Sequence, residues 1–206
     1  GRERPNWVGV RPQGNGTIQA RVWAPEAAHL SVVLEDRDRD IPLAKDDHGY
    51  FSGEVTGAQV GGRYRLRLDD ALLADPASRS QPEGVHGPSQ IVESAYPWRH
   101  ETWPLPPHRE WVIYEVHVGS FTEAGTFAAV IPHLPYLQDL VVTAIEVMPV
   151  TQFPGTRNWG YDGVFPYAVQ HSYGGPDGLR ALVDAAHGLG MAVILDVVYN
   201  HMGPEG

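Results

Sequence analysis

The sequence has no cysteine, so neither a disulfide framework nor a thiolate metal site is open to it. It has no apolar run as long as a transmembrane helix, and residues 1–5 carry no secretory apolar segment, which leaves the cytoplasm as the expected location. Basic residues are scarce. Lys+Arg 15 against Asp+Glu 25 gives a net charge of −10, and no basic block is present, which argues against nucleic acid and against anionic membranes as partners. Short-period repeats and low-complexity tails are absent too. What remains is ordinary globular material: 42% hydrophobic and 19% charged over 206 residues, enough for one large domain or two small ones. A neutral polyhydroxylated ligand is compatible with this balance.

Residues 7–92 predict an all-β sandwich of short strands separated by turn signals. The strands fall at 7–11, 17–25, 29–34, 50–55 and 63–68, the last alternating Tyr64, Leu66 and Leu68. Asn15-Gly16 predicts a type I′ hairpin turn, and the charged run 35–40 predicts a solvated turn. The domain boundaries follow: a sandwich over 1–95, a Pro/Trp-rich linker over 96–110 with Trp98 and Trp103, and an α/β part over 111–206.

In that α/β part, residues 111–118 read as a strand and 126–140 as a helix interrupted at Pro132 or Pro135. Residues 142–150 read as a second strand, 151–173 as a long loop, and the stretch from Pro176 to Gly190 as a second helix. The near-continuous apolar run 191–198 predicts a third strand buried on both faces. The order β-α-β-α-β implies parallel strands joined by right-handed crossovers. Asp196, Asn200 and His201 then come at or past the C-terminal end of the third strand, where α/β barrels collect their working residues. A carboxylate in a buried strand needs a partner, so Asp196 is expected to have one.

Glu115, Glu146 and Asp196 lie toward the C-terminal ends of the three strands. Two of them could serve as acid and nucleophile of a glycosidase, with His117, His201, Tyr161 and Trp159 offering hydrogen bonds and stacking faces to a sugar. Internal ion pairs are the other reading of Glu115 and Glu146. Residue pattern alone leaves both open.

The hexapeptide Asp196-Val197-Val198-Tyr199-Asn200-His201 resembles the first signature of the α-amylase family of glycoside hydrolases. Trp159-Gly160-Tyr161-Asp162-Gly163 and Tyr114-Glu115-Val116-His117-Val118-Gly119 reinforce the resemblance. Within the family, Asp75-Pro76-Ala77-Ser78-Arg79 and the segment from Gln81 to Pro88 look most like the malto-oligosyltrehalose trehalohydrolases. The resemblance implies an immunoglobulin-like, carbohydrate-module-like sandwich followed by the first three βα units of a (β/α)8 TIM barrel, which is left incomplete. It also implies a maltooligosyltrehalose or another α-1,4-glucan as substrate, cleaved next to the trehalose end with retention.

By the same resemblance Tyr161 stacks on the sugar at the cleavage point and His201 donates to its primary hydroxyl. Trp159 and Asp162 also bind substrate, while Asp196, Asn200 and His117 support the site. No metal and no cofactor are implied. The family's nucleophile and acid sit on later strands, so no catalytic acid is expected within these residues, and the missing C-terminal part of the barrel is the partner they require. Two other readings accompany this one. A 1,4-α-glucan branching enzyme shares the motif at 114–119. A glycan-binding module would use Trp7, Trp23, Tyr50 and Tyr64 of the sandwich alone.

Overall fold

The computed structural model describes residues 6–36 and 39–203. Residues 1–5, Arg37 and Asp38 of the charged turn, and Pro204 after the third α/β strand lie outside the described residues. The chain divides into two compact units, Gly1–Ser94 and Ala95–Gly206. The segment 96–110 falls within the second.

The first unit is a pair of antiparallel sheets. One has the order β1-β2-β6-β5, built from Gly9–Pro12, Ile18–Trp23, Tyr50–Glu54 and Ala44–Lys45. The other has the order β4-β3-β7-β8, from Arg39–Pro42, Leu30–Leu34, Arg63–Leu68 and Ala71–Leu73, with β9 (Ser89–Gln90) also on β7. Alternation decides which side chains meet between the sheets. Ile18, Ala20 and Val22 from one sheet and Val32, Leu34, Tyr64 and Leu66 from the other share one buried cluster with Phe51. Tyr64 is therefore core, and the four-aromatic platform considered for a glycan-binding module is not assembled. Only Trp23 is well exposed, paired across strands with Tyr50.

The turn at Asn15-Gly16 is not type I′. Gly16 has φ +82° whereas Asn15 is not among the residues with positive φ. Gly16 N–H bonds the Gln13 carbonyl and Gln13 N–H bonds the Thr17 carbonyl. This makes a three-residue loop with glycine in the left-handed position. The Asn15 side chain prefers to accept from the Thr17 amide and hydroxyl.

The segment from Asp75 to Gln90, irregular as expected, folds inward around polar groups. Gln81 is fully buried; its carboxamide oxygen accepts from the Ser78 and Ser89 hydroxyls and its nitrogen donates to the Gly84 and Gly87 carbonyls. Asp75 is equally buried, accepting from the Tyr64 hydroxyl at 2.6 Å and the Ala77 amide at 2.9 Å. Burial pushes the Asp75 carboxyl up, although these two bonds and Arg11 act in the other direction.

The second unit carries three parallel strands, β10 (Ile113–Val116), β11 (Ala144–Val147) and β14 (Ala192–Leu195), with β11 in the middle. The sheet is open, an incomplete barrel. Val116, Ile145 and Val147 pack with Phe127, Val130, Leu134, Leu137 and Leu182 from the helices, so one face is covered. The alternate residues, Glu115 and Glu146 directly across from each other, face the other way.

A short helix, α1 (Val118–Phe121), follows β10. The interrupted helix is α2 (Phe127–Val130), a 3-10 turn at Ile131–His133, and α3 (Leu134–Asp139). Thr126 caps its start by accepting from the Ala129 amide at 3.2 Å. Its end places Val141 at φ +65°, with the Val142 amide returning to the Leu137 carbonyl, a closure usually given to glycine. α4 (Gly175–Gly188) has Pro176 in its first turn. Segment 98–100 is tied to α4, because the amides of Arg99 and His100 and the His100 ring all reach the Asp184 carboxylate.

Two expectations are corrected. The third strand is four residues long and only its first residue, Ala192, is fully buried. A strand with a single hydrogen-bonded neighbour and one uncovered face cannot bury both sides. The long loop 151–173 contains an antiparallel pair, β12 (Thr151–Gln152) and β13 (Phe165–Val169). Between these strands runs the segment with the Trp-Gly-Tyr-Asp-Gly motif.

Candidate active site

Three segments converge at the C-terminal end of the parallel sheet: the turn after β10, the motif segment after β11, and the residues after β14. Each is held by identifiable contacts. Gly160 adopts φ +97°, and a Cβ there would run into the Pro149 carbonyl oxygen. Gly203 and Gly163 are similarly confined by Asp162 and Thr151, and the Gly203 amide bonds the Gly163 carbonyl. Glycine is thus demanded by backbone approach at this corner.

Asn158 ties the motif segment together. Its side-chain oxygen accepts from the Gly160 amide and its nitrogen donates to Asp162 Oδ2, both at 2.7 Å. Its backbone carbonyl lies 2.7 Å from His117 Nε2. A carbonyl can only accept, so Nε2 carries the hydrogen, and a neutral ring then accepts at Nδ1 from the Ser120 hydroxyl, also at 2.7 Å. His117 therefore locks the first turn to the second segment rather than standing free.

Tyr161 sits over the uncovered face of the sheet. Its hydroxyl is 3.4 Å from Asp196 Oδ2, a long contact and the partner found for that carboxylate. Asp196 is only partly buried, so the cost expected of a carboxylate in a sealed strand does not arise. Burial first, then the charge and hydrogen bond of Asp196, then Glu115 and Glu146, raise the Tyr161 phenol above its ordinary range and keep it protonated as a donor. His201 Nε2 lies 3.0 Å from the Tyr161 carbonyl oxygen and Nδ1 is 2.9 Å from Asn200 Oδ1. Both ring nitrogens of His201 thus have partners within the chain.

The seven expected site residues fall into two groups. Tyr161, Asp196, Asn200 and His201 make one hydrogen-bonded cluster. Trp159, Asp162 and His117 line a cavity of about 620 Å³ that neither Tyr161 nor His201 lines. Residue pattern gave no role to Asn158, Ser120, Arg157 or Tyr173, all of which line that cavity. For Asn158 the only available signal was its place beside the motif. Among the described residues no group of three or more acidic or histidine side chains is arranged to hold a metal ion, and no helix is long and apolar enough to cross a membrane.

Comparison with known proteins adds the following. Residues 8–78 match the family model of carbohydrate-binding module 48, the isoamylase N-terminal domain, and residues 79–206 match the model of the alpha amylase catalytic domain. The chain is 52% identical over 190 residues to a malto-oligosyltrehalose trehalohydrolase of Saccharolobus solfataricus, covering 92% of this chain and 34% of that protein. It is 50% identical to the Deinococcus radiodurans protein of the same name, covering 95% and 32%. A crystal structure of a candidate alpha amylase from Salmonella typhimurium superposes with a TM-score of 0.91 at 43% identity, over 97% of this chain and 34% of that one. The chain spans about a third of the length of the relatives it matches. With more than half of its residues inside the catalytic-domain model, the protein belongs to the alpha-amylase family.

Proposed function

We propose that this chain carries the sugar-orienting side of a glycoside hydrolase site acting on a maltooligosyltrehalose, the α-1,4-glucan with a trehalose end. The relatives' name supports that substrate, and the Tyr161–His201 cluster supports the site. One observation carries the reading: the Tyr161 ring is half exposed, with its hydroxyl 3.4 Å from Asp196 Oδ2 and its own backbone carbonyl bonded by the His201 ring. An aromatic side chain anchored at its backbone and touched at its hydroxyl has less freedom to lose when the C–H side of a glucosyl unit stacks on its face.

His201 contributes by sharing its Nε2–H between the Tyr161 carbonyl and a primary hydroxyl of that sugar. Asn200 steadies the ring from the other nitrogen. In this reading Glu115 and Glu146 are not the reacting acids. They shape the potential under Tyr161, while retention through a covalent intermediate would need two carboxyls about 5 Å apart across the scissile bond, supplied by further polypeptide.

The test is a titration of the full chain with a maltooligosyltrehalose, read on the His201 ring resonances, alongside an assay for released trehalose. Saturable binding that weakens about tenfold in Tyr161→Ala, with no trehalose released, is the expected result. Binding indifferent to Tyr161 and His201, or trehalose release by the chain alone, overturns the reading.

A further inference from the structure

At the other end of the parallel sheet, where α4 ends and the chain turns toward β14, a smaller cavity of about 240 Å³ is lined by Trp98, His100, Glu101, Trp103 and His187. It shares no residue with the site at the C-terminal ends of the strands. Its walls are held from α4. The Asp184 carboxylate accepts from the Arg99 amide at 3.1 Å, the His100 amide at 3.0 Å and the His100 ring at 3.3 Å. Gly188 lets that ring come close, because a Cβ there would meet His100 Cε1 at 2.7 Å. Trp103 lies nearly flat on His187, with ring centroids 4.1 Å apart and planes at 21°. Tyr96 meets Trp98 edge-on at 4.7 Å. Segment 98–103 is therefore fixed before any ligand arrives and has little freedom left to lose on binding.

The chemistry of the lining is one-sided. Glu101 makes no ion pair or hydrogen bond among the described residues, so its carboxylate is available to a ligand. Neither lysine nor arginine lines the cavity, and the chain as a whole is at −10. Burial and the neighbouring His100 lower the His187 imidazole against the pull of Asp184, which leaves that ring uncharged at neutral pH. An anion is repelled here, and a sugar finds no hydroxyl, amide or guanidinium side chain to bond. What is attracted is a compact cation, because two indoles beside a carboxylate favour a positive charge that water holds weakly. The volume lies below the range of drug-sized sites, which suits a small head group.

We propose that this cavity binds a small quaternary ammonium ion, its methyl groups packed against Trp98 and Trp103 and its charge answered by Glu101. The proposal is independent of the glycoside reading, since it uses none of the residues of that site.

The experiment uses the full chain with 5-fluorotryptophan, the Trp98 and Trp103 resonances being assigned by their absence in Trp98→Phe and Trp103→Phe. Choline chloride is the probe, sodium chloride of the same strength is the control, and 3,3-dimethylbutanol is the uncharged isostere. The expected result is a saturable shift of both resonances by choline alone, about tenfold weaker binding of the isostere, and about fivefold weaker choline binding in Glu101→Gln. Glu101 is exposed, so that substitution leaves the fold intact and the outcome readable. Trp98→Leu, read at Trp103, keeps an apolar wall but removes the ring; it should weaken choline about fivefold and leave the isostere unchanged. Equal binding of choline and its isostere identifies a merely apolar pocket and overturns the inference. No shift with choline, or binding indifferent to Glu101→Gln, does the same. Maltose binding more tightly than choline at these resonances identifies a sugar surface and overturns it too.

Discussion

The two units solve the same problem differently. In the first, two sheets cover each other, and the cluster around Phe51 and Tyr64 is sealed on both sides. In the second, helices cover one face of a three-stranded sheet and leave the other open, with Ile113, Leu195 and Val197 exposed at its rim. The closed unit puts polar groups inside only where they satisfy one another, as Gln81 and Asp75 do. The open unit leaves its carboxylates and aromatics on the uncovered side, where a ligand can reach them. Stability is concentrated where the chain is closed, and recognition chemistry where it is not.

The sharpest way to break this comparison is to truncate one apolar side chain in each unit. Phe51→Ala should cost about 3–5 kcal/mol of the first unit's stability, because the ring is fully buried and its neighbours cannot close the gap. Leu195→Ala in the second should cost less than about 1 kcal/mol, since much of that side chain is already in water. Urea melts followed by amide exchange on peptides from each unit separate the two; equal losses would show that the open sheet is in fact sealed.

Acid should sharpen the contrast. The Asp75 carboxyl is raised by burial, so the ionised form is disfavoured in the fold. Its contribution is complete below the unfolded value near 3.8 and is lost as pH rises through the raised folded value. Asp184 in the second unit is opposite: burial alone would raise it, but bonds from the His100 and Arg99 amides and the His100 ring leave it lowered. Its contribution is present above 3.8 and is lost as pH falls through the lower folded value. On acidification the Asp75 contribution thus favours the first unit while the second loses the tie between segment 98–100 and α4. Asp75→Asn and Asp184→Asn should each flatten the acid limb of its own unit in a pH series of urea midpoints. Parallel responses of the two wild-type units would refute the assignment.

The smallest expected effect concerns Val141. A β-branched residue at φ +65° is strained, and this one is largely exposed. Val141→Gly should raise the second unit's stability by about 1 kcal/mol, read as a shift in its urea midpoint without change in slope. A loss instead would mean that the valine packs against something that repays its backbone.

Much of this was legible in the chain. Alternation in Tyr64, Leu66 and Leu68 located β7, of which Tyr64 and Leu66 are buried and Leu68 is partly buried against the same cluster, and the apolar runs placed three parallel strands in the right order. What escaped has a physical reason in each case. β12 and β13 are short and pair across a glycine-rich excursion, so no periodicity marks them. The turn at Asn15 was misjudged because a side chain that bonds the Thr17 amide competes with the left-handed backbone the dipeptide usually signals. The motif residues were visible as motifs, but their division between two locations was not, because it depends on the reversal at Gly160 and on a bond from His117 to Asn158, 41 positions away. Contacts of that separation leave no trace in local pattern.

Glu115 and Glu146 stand directly across neighbouring strands on the uncovered side of the sheet. Adjacent strands lie about 4.8 Å apart, so two like charges at that spacing repel by roughly 1 kcal/mol in water. Dissolved ions soften this repulsion: the screening length is about 30 Å at 0.01 M ionic strength and about 8 Å at physiological strength. Added salt therefore relieves only a few tenths of a kcal/mol of this repulsion, because the two strands are closer together than the screening length, and the sheet carries the rest of it at any ordinary ionic strength.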